Sequence, residues 1–144
     1  AQHNKIVISG GAMSGMSKAM YKGHLMPLRD LVRAGKAWAL NGVAAHGPVM
    51  KPMFTFKKNQ TYIIRMQNDT QWVHPMHFHG HAFKILTRNG KTEPYTPWAD
   101  TVLIGPTETV EVALVADNPG DWLYHCHILE HHAAGMSGVI RVEA

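Results

Sequence analysis

Residues 125–136 read HCHILEHHAAGM, with the chain's single cysteine, Cys126, set between His125 and His127 and followed by His131, His132 and Met136. A lone cysteine is ordinarily a small buried apolar residue, and methionine is ordinarily core filler. Neither role calls for a crowd of histidines. A second dense run, HPMHFHGH at 74–81, supplies His74, His77, His79 and His81, so most of the eleven histidines fall in two short stretches.

Strand geometry sorts these residues. Successive side chains of a β-strand point to opposite faces, so in YHCH (124–127) His125 and His127 share one face and Cys126 takes the other. His77 and His79 likewise share a face, whereas His74 lies an odd number of residues away and is free to point elsewhere. Two centres are implied. One draws on Cys126 and His74, with His131 and Met136 folding back through a turn that Ala133, Ala134 and Gly135 allow to pack closely. The other draws on His77, His79, His125 and His127. Two imidazoles, a thiolate and a weak axial thioether are the ligand set of a blue-copper site, in which the soft sulfur suits Cu(I) and the imidazoles tolerate Cu(II). An all-imidazole centre suits coppers that bind and reduce oxygen.

Other chemistries account for less of the pattern. HILEH (127–131) matches His-x-x-Glu-His, a zinc-hydrolase arrangement that needs one continuous helix, yet His127 ends a strand-like run and the pattern ignores Cys126, Met136 and the first histidine cluster. A structural zinc site usually draws on several cysteines, and a cysteine or serine hydrolase needs its nucleophile on an exposed elbow. His81, after Gly80, is expected to support its neighbours, Asp100 to anchor a histidine rather than touch a substrate, the other role open to it, and His3, His24 and His46 to lie at the surface.

Outward from the two clusters, the chain from about residue 54 reads as short strands rich in β-branched and aromatic residues: 61–68, 81–86, 101–105, 109–116, 121–127 and 137–143. Asn68-Asp69, Asn89-Gly90, Pro106 and Asn118-Pro119-Gly120 punctuate them as turns. Regular short strands with polar turns predict an all-β sandwich or barrel. Residues 1–35 differ. KIVIS (5–9) reads as a strand and PLRDLVRAG (27–35) as a short helix, but between them GGAMSGMSKAMYKGHLM has no clear period. We read 1–35 as a linker or docking segment and 36–144 as the domain. A rival reading has Met13, Met16, Met20, Met26 and His24 holding soft Cu(I), and so storing copper.

The chain's 144 residues suffice for one domain with its own core, and 45% apolar against 17% charged residues is the balance of a folded protein. Net charge is +4, and no Lys/Arg run gathers it into a patch, so nucleic acid is not an expected partner. A single cysteine leaves no internal disulfide to report redox compartment. No apolar run reaches the length of a membrane span and no signal peptide heads the chain, while a start at Ala1 fits a processed protein or a fragment.

At KAWALNG (36–42), HPMHFHGHAF (74–83), WADTV (98–102) and HCHILEHHAAGM the sequence resembles the C-terminal cupredoxin domain of the multicopper oxidases, the family of laccases, ascorbate oxidase and bacterial cuprous oxidases. The resemblance covers about residues 36–144 and is nearer in style to bacterial three-domain members than to fungal laccases. It implies a cupredoxin-like Greek-key β-sandwich. It carries His74, Cys126, His131 and Met136 to type 1 copper, His77 to type 2 copper, and His79, His125 and His127 to type 3 coppers. Cys126, His125 and His127 are then the catalytic link, taking electrons from phenols or Cu(I) to the site where O2 becomes water. The family's trinuclear cluster takes eight histidines, four of them from two His-x-His pairs in an N-terminal domain. This chain offers four, so the implied partner is that N-terminal cupredoxin domain or another subunit. A place the family often gives to an acidic proton donor holds His132. Periplasmic or secreted location is implied by the family alone. The other function class left open is a stand-alone blue-copper electron carrier.

Overall fold

The computed structural model describes residues 1–47 and 51–144. In chain order its elements begin with β1 (Gln2–Gly10), β2 (Lys18–Tyr21), β3 (His24–Pro27), α1 (Leu28–Arg33), β4 (Trp38–Leu40) and β5 (Phe54–Lys57). They continue with β6 (Thr61–Asn68), β7 (His74–Phe78), β8 (Phe83–Arg88), β9 (Lys91–Thr92), β10 (Trp98–Ala99) and β11 (Thr101–Ile104). The last are β12 (Thr109–Val115), β13 (Gly120–Cys126), α2 (Leu129–Ala133) and β14 (Ser137–Glu143). No helix among the described residues is long and apolar enough to cross a membrane.

Two sheets form the expected β-sandwich. One runs β10-β8-β12-β6-β1-β4, with β9 hairpinned onto β8; the other runs β11-β7-β13-β14-β5. β1 and β6 are parallel, as are β14 and β5, while the other pairings within the two sheets are antiparallel. Period-two patterning explains the packing. In β6, Tyr62, Ile64, Met66 and Asn68 are buried while their neighbours are not, and β12 sets Leu114, Val112 and Val110 directly opposite the first three. From the facing sheet Met76, Phe78, Ile104, Tyr124 and Val142 complete the same core. Each such side chain contributes about 1.5–3 kcal/mol by leaving water.

The amino-terminal third departs from the linker reading. β1 sits between β6 and β4, pairing Ile6 with Met66 and Ile8 with Asn68, and both isoleucines are completely buried. The chain from Gln2 onward is therefore part of the sandwich, because the alternation of Ile6 and Ile8 continues its inner face. The segment without a clear period also has structure. β2 and β3 form a hairpin whose two-residue turn, Lys22-Gly23, has positive φ at both positions, the geometry that matches strand twist. This hairpin and α1 close over a small second core of Ala19, Leu31, Ala39 and Ala44, against which Met16, Tyr21 and Met26 pack. Met16 and Met26 are thus packing residues here, while Met13 is exposed. The short helix expected over 27–35 is α1, which buries only Leu31.

If β1 is integral to the sandwich, Ile8→Ala should lower unfolding free energy by about 2–5 kcal/mol. Urea titration measures it, and a loss within about 0.5 kcal/mol would restore the docking-segment reading.

Candidate metal centre

β13 is hydrogen-bonded on one side to β7 and on the other to β14. Its register on β7 sets His125 opposite His77 and Cys126 opposite Met76. Cys126 therefore faces the core on the side that β7 gives to His74 and Met76, and His125 faces the other way with His77.

On the core side, His74, Cys126 and His131 form the one group among the described residues in which three such ligand atoms lie within 4.8 Å of one another. His74 Nδ1 is 3.1 Å from His131 Nδ1, and Cys126 Sγ is 3.8 Å and 3.7 Å from those two nitrogens. The point equidistant from the three atoms of that triangle lies about 2.1 Å from each, which is metal–nitrogen bonding distance. Burial, with a smaller contribution from the nearby His131, holds His74 down to about 4, and burial lowers His131 as well. Both imidazoles are thereby kept neutral, the state in which a ring nitrogen binds metal. Burial pushes the Cys126 thiol up, and the Ile128 amide works weakly against it. A cation placed among these atoms would restore the thiolate. Two neutral imidazoles and one buried thiol fit copper.

The loop from Cys126 to Met136 is pinned from several directions. Met136 donates its amide to the His131 carbonyl at 3.0 Å and accepts from the Cys126 amide at 3.1 Å, and its side chain is wholly buried. Ala37 and Trp38 both donate to the Ala134 carbonyl, Ala45 donates to that of Gly135, and Lys36 Nζ to that of Ala133. Gly135 has φ 117°, and a Cβ there would collide with the Trp38 carbonyl. The Trp38 ring lies edge-on to His74 at 4.9 Å and tilted over His131 at 4.4 Å. Sequence reading quoted Trp38 within a motif but gave it no role, because nothing local says which ring it will touch.

On the opposite side the imidazoles of His77, His79, His125 and His127 gather. The His77 ring centre is 4.8 Å from that of His79, 5.6 Å from His125 and 5.1 Å from His127. His79 Nε2 and His125 Nε2 are 3.0 Å apart. His77 Nδ1 donates to the Asp100 carbonyl at 2.9 Å, and His125 Nδ1 donates to the Cys126 carbonyl at 2.7 Å. Those bonds leave each Nε2 free to act as a ligand. Asp100 anchors His77 through its backbone, with its carboxylate farther off at 3.7 Å. Burial lowers His125 and His79, and like neighbours lower both further. His132, unassigned by motif, stacks on His125 at 4.4 Å. His81 lies edge-on to Trp122 at 5.9 Å, while His3, His24 and His46 are exposed as expected. The zinc-hydrolase pattern fails on geometry. α2 begins only at Leu129, so His127 lies outside it and joins the imidazole cluster while His131 reaches Cys126.

Residues 21–144 match the multicopper oxidase family. The chain belongs to that family. It is 35% identical over 102 residues to multicopper oxidase MmcO of Mycobacterium tuberculosis, covering 69% of this chain and 19% of that protein. It is 38% identical over 93 residues to Laccase-1 of Fomitopsis schrenkii, covering 61% of this chain and 17% of that protein. Among solved structures, the multi-copper oxidase of Pseudomonas thermotolerans superposes with a TM-score of 0.77 at 28% identity, over 99% of this chain and 30% of that one. The chain thus spans about a fifth of the length of these curated relatives, as a cupredoxin-type domain of a multicopper oxidase would.

Stability of the metal-free domain should depend on acid. The folded His74 value of about 4 lies below its ordinary 6.5, so between these pH values the unfolded chain holds more protons. The urea midpoint should fall as pH drops from about 6.5 toward about 4, with a shallower slope in His74→Asn. A profile flat across that window would contradict the burial of a neutral imidazole.

Proposed function

We propose that this chain is the C-terminal copper domain of a laccase-like multicopper oxidase, built from β1 through β14. His74, Cys126 and His131, with Met136 axial, hold type 1 copper. His77 on type 2 copper and His79, His125 and His127 on type 3 coppers supply half of a trinuclear cluster. Copper in the two centres would supply one-electron redox chemistry and a place for O2 to be reduced to water.

The observation that carries this reading is the triangle of His74, His131 and Cys126, back to back with the imidazole cluster across one strand. Cys126 is bonded directly to both His125 and His127, so its sulfur reaches either ring through a few covalent bonds. The Cys126 carbonyl also accepts from His125 Nδ1, which tightens that link and orients Nε2 outward. The enclosed Cys126 and His74 exclude water from the first centre, while His79 and His127 stand exposed on the other side. That exposure is what a partner domain or subunit, bringing the remaining imidazoles, would cover. The reducing substrate is a phenol or Cu(I), and the whole enzyme acts outside the cytoplasm.

Copper-loaded protein should absorb strongly at about 600 nm, the charge-transfer band of a trigonal copper–thiolate site. Cys126→Ser should abolish the band; a blue serine variant would end the assignment. Met136→Leu should keep the blue colour and raise the reduction potential, because the lost thioether favoured Cu(II). Oxygen uptake with a phenolic donor, measured beside solution mass, tests the half-cluster. A monomer of this chain should exchange single electrons but turn over negligibly, and sustained four-electron turnover by a verified monomer would contradict it.

A further inference from the structure

Behind His74, away from Cys126, lies a set of polar groups that the copper reading does not use. Asn68, Thr70 and His74 are each completely buried. Thr70 Oγ1 is 2.8 Å from His74 Nε2, 2.6 Å from Asn68 Oδ1 and 3.2 Å from the Trp72 amide nitrogen. The Asn68 Nδ2 group faces three carbonyls, those of Trp72 at 2.7 Å, Gly105 at 2.8 Å and Ile104 at 3.3 Å.

Donor counting resolves every proton in this network. Three carbonyls around one end of the Asn68 amide require that end to be its NH2, so Oδ1 points at Thr70. Oδ1 can only accept, and it takes the Thr70 amide at 3.0 Å and the Thr70 hydroxyl. A hydroxyl has one proton and two lone pairs. The Trp72 carbonyl, at 3.2 Å, is a second acceptor in reach of that proton, but the 2.6 Å separation of Thr70 Oγ1 and Asn68 Oδ1 requires a hydrogen between them. With its proton committed to Asn68, Thr70 Oγ1 accepts from the Trp72 amide and has one lone pair left for His74 Nε2. That nitrogen must therefore carry a hydrogen, which leaves His74 Nδ1 bare and facing Cys126 and His131. The opposite tautomer would call for a second hydroxyl proton or set two lone pairs against each other in a buried site.

We propose that Thr70, held by Asn68, is the positioning residue that locks His74 as the Nε2–H tautomer and biases the first centre toward oxidised copper. The tautomer lock stands on the network alone; the bias rests on the type 1 assignment above. An acceptor on Nε2–H makes the ring a stronger donor through Nδ1, and stronger donation favours the more highly charged Cu(II) over Cu(I).

Two readouts separate the parts. In nitrogen-15-labelled, metal-free protein, NMR of the histidine rings should find His74 protonated at Nε2 in the wild type and in Thr70→Ser, with Thr70→Val mixed or reversed. In copper-loaded protein, Thr70→Val should bind Cu(II) about tenfold more weakly with Cu(I) affinity unchanged, raising the reduction potential by about 59 mV. Thr70→Ser should restore the wild-type potential. Should Thr70→Val fail to fold, the wild-type spectrum still decides: a hydrogen on Nδ1 of His74 overturns the lock. Tautomer and potential both unchanged in a folded Thr70→Val protein overturn the whole proposal. An Nε2–H His74 in a protein that never turns blue overturns the type 1 assignment and the redox bias with it, and supports the lock.

Discussion

One peptide bond separates Cys126 from His125, and along a strand one peptide bond is also the step from one face of the sheet to the other. Everything at the two centres depends on that step. Because β13 is held in register on β7, His125 meets His77 on one side while Cys126 meets Met76 on the other. A slip of one residue would exchange the faces, burying imidazoles in the core and exposing the thiol. The slip is opposed from both flanks, since β14 continues the ladder from His125–Ser137 to Gly120–Val142. The apolar residues that alternate with the histidines, Met76, Phe78 and Tyr124, thus serve the site by anchoring register as much as they serve the core.

A strand alone cannot assemble the first centre, because His131 lies beyond the end of β13. The intervening chain must reverse, and its short helix α2 has no buried residue of its own to hold it. Its position comes from hydrogen bonds to a different part of the chain, residues 36–45, which donate to the carbonyls of Ala133, Ala134 and Gly135. The close approach that makes those bonds possible requires glycine at 135. Once docked, the same segment brings the Trp38 ring against both imidazoles. The amino-terminal region therefore contributes to the site as well as to the sheet.

The electrostatics of the two sides differ for a physical reason. On the core side, burial disfavours charged histidine and charged cysteine alike, so all three groups are held neutral until a cation compensates the thiolate. On the outer side the rings are more open to water, and mutual repulsion among several imidazoles adds to the effect of burial in lowering His79 and His125. The core-side group is closed off from water at Cys126 and His74, and the outer group is open to it at His79 and His127.

Much of this was legible from residues 74–81 and 125–136 alone. Strand parity separates Cys126 from His125 and His127 without any tertiary information, because alternation is a property of the extended backbone itself. The main strands from 61 onward were also readable, since each is rich in β-branched and aromatic residues and turn formers stand between most of them; 61–68 and 137–143 coincide with β6 and β14. The first 35 residues were harder. Ile6 and Ile8 look like a strand, but whether a short strand joins a sheet depends on a partner some sixty residues away. The methionine-rich stretch carries no period because its residues pack singly into a small core rather than along one face. Trp38 over the imidazoles, His132 stacked on His125, and Asn68 and Thr70 behind His74 were invisible in the sequence. Local pattern determines which way a side chain points; which distant side chain it then meets is decided only when the sheets close and the loops dock.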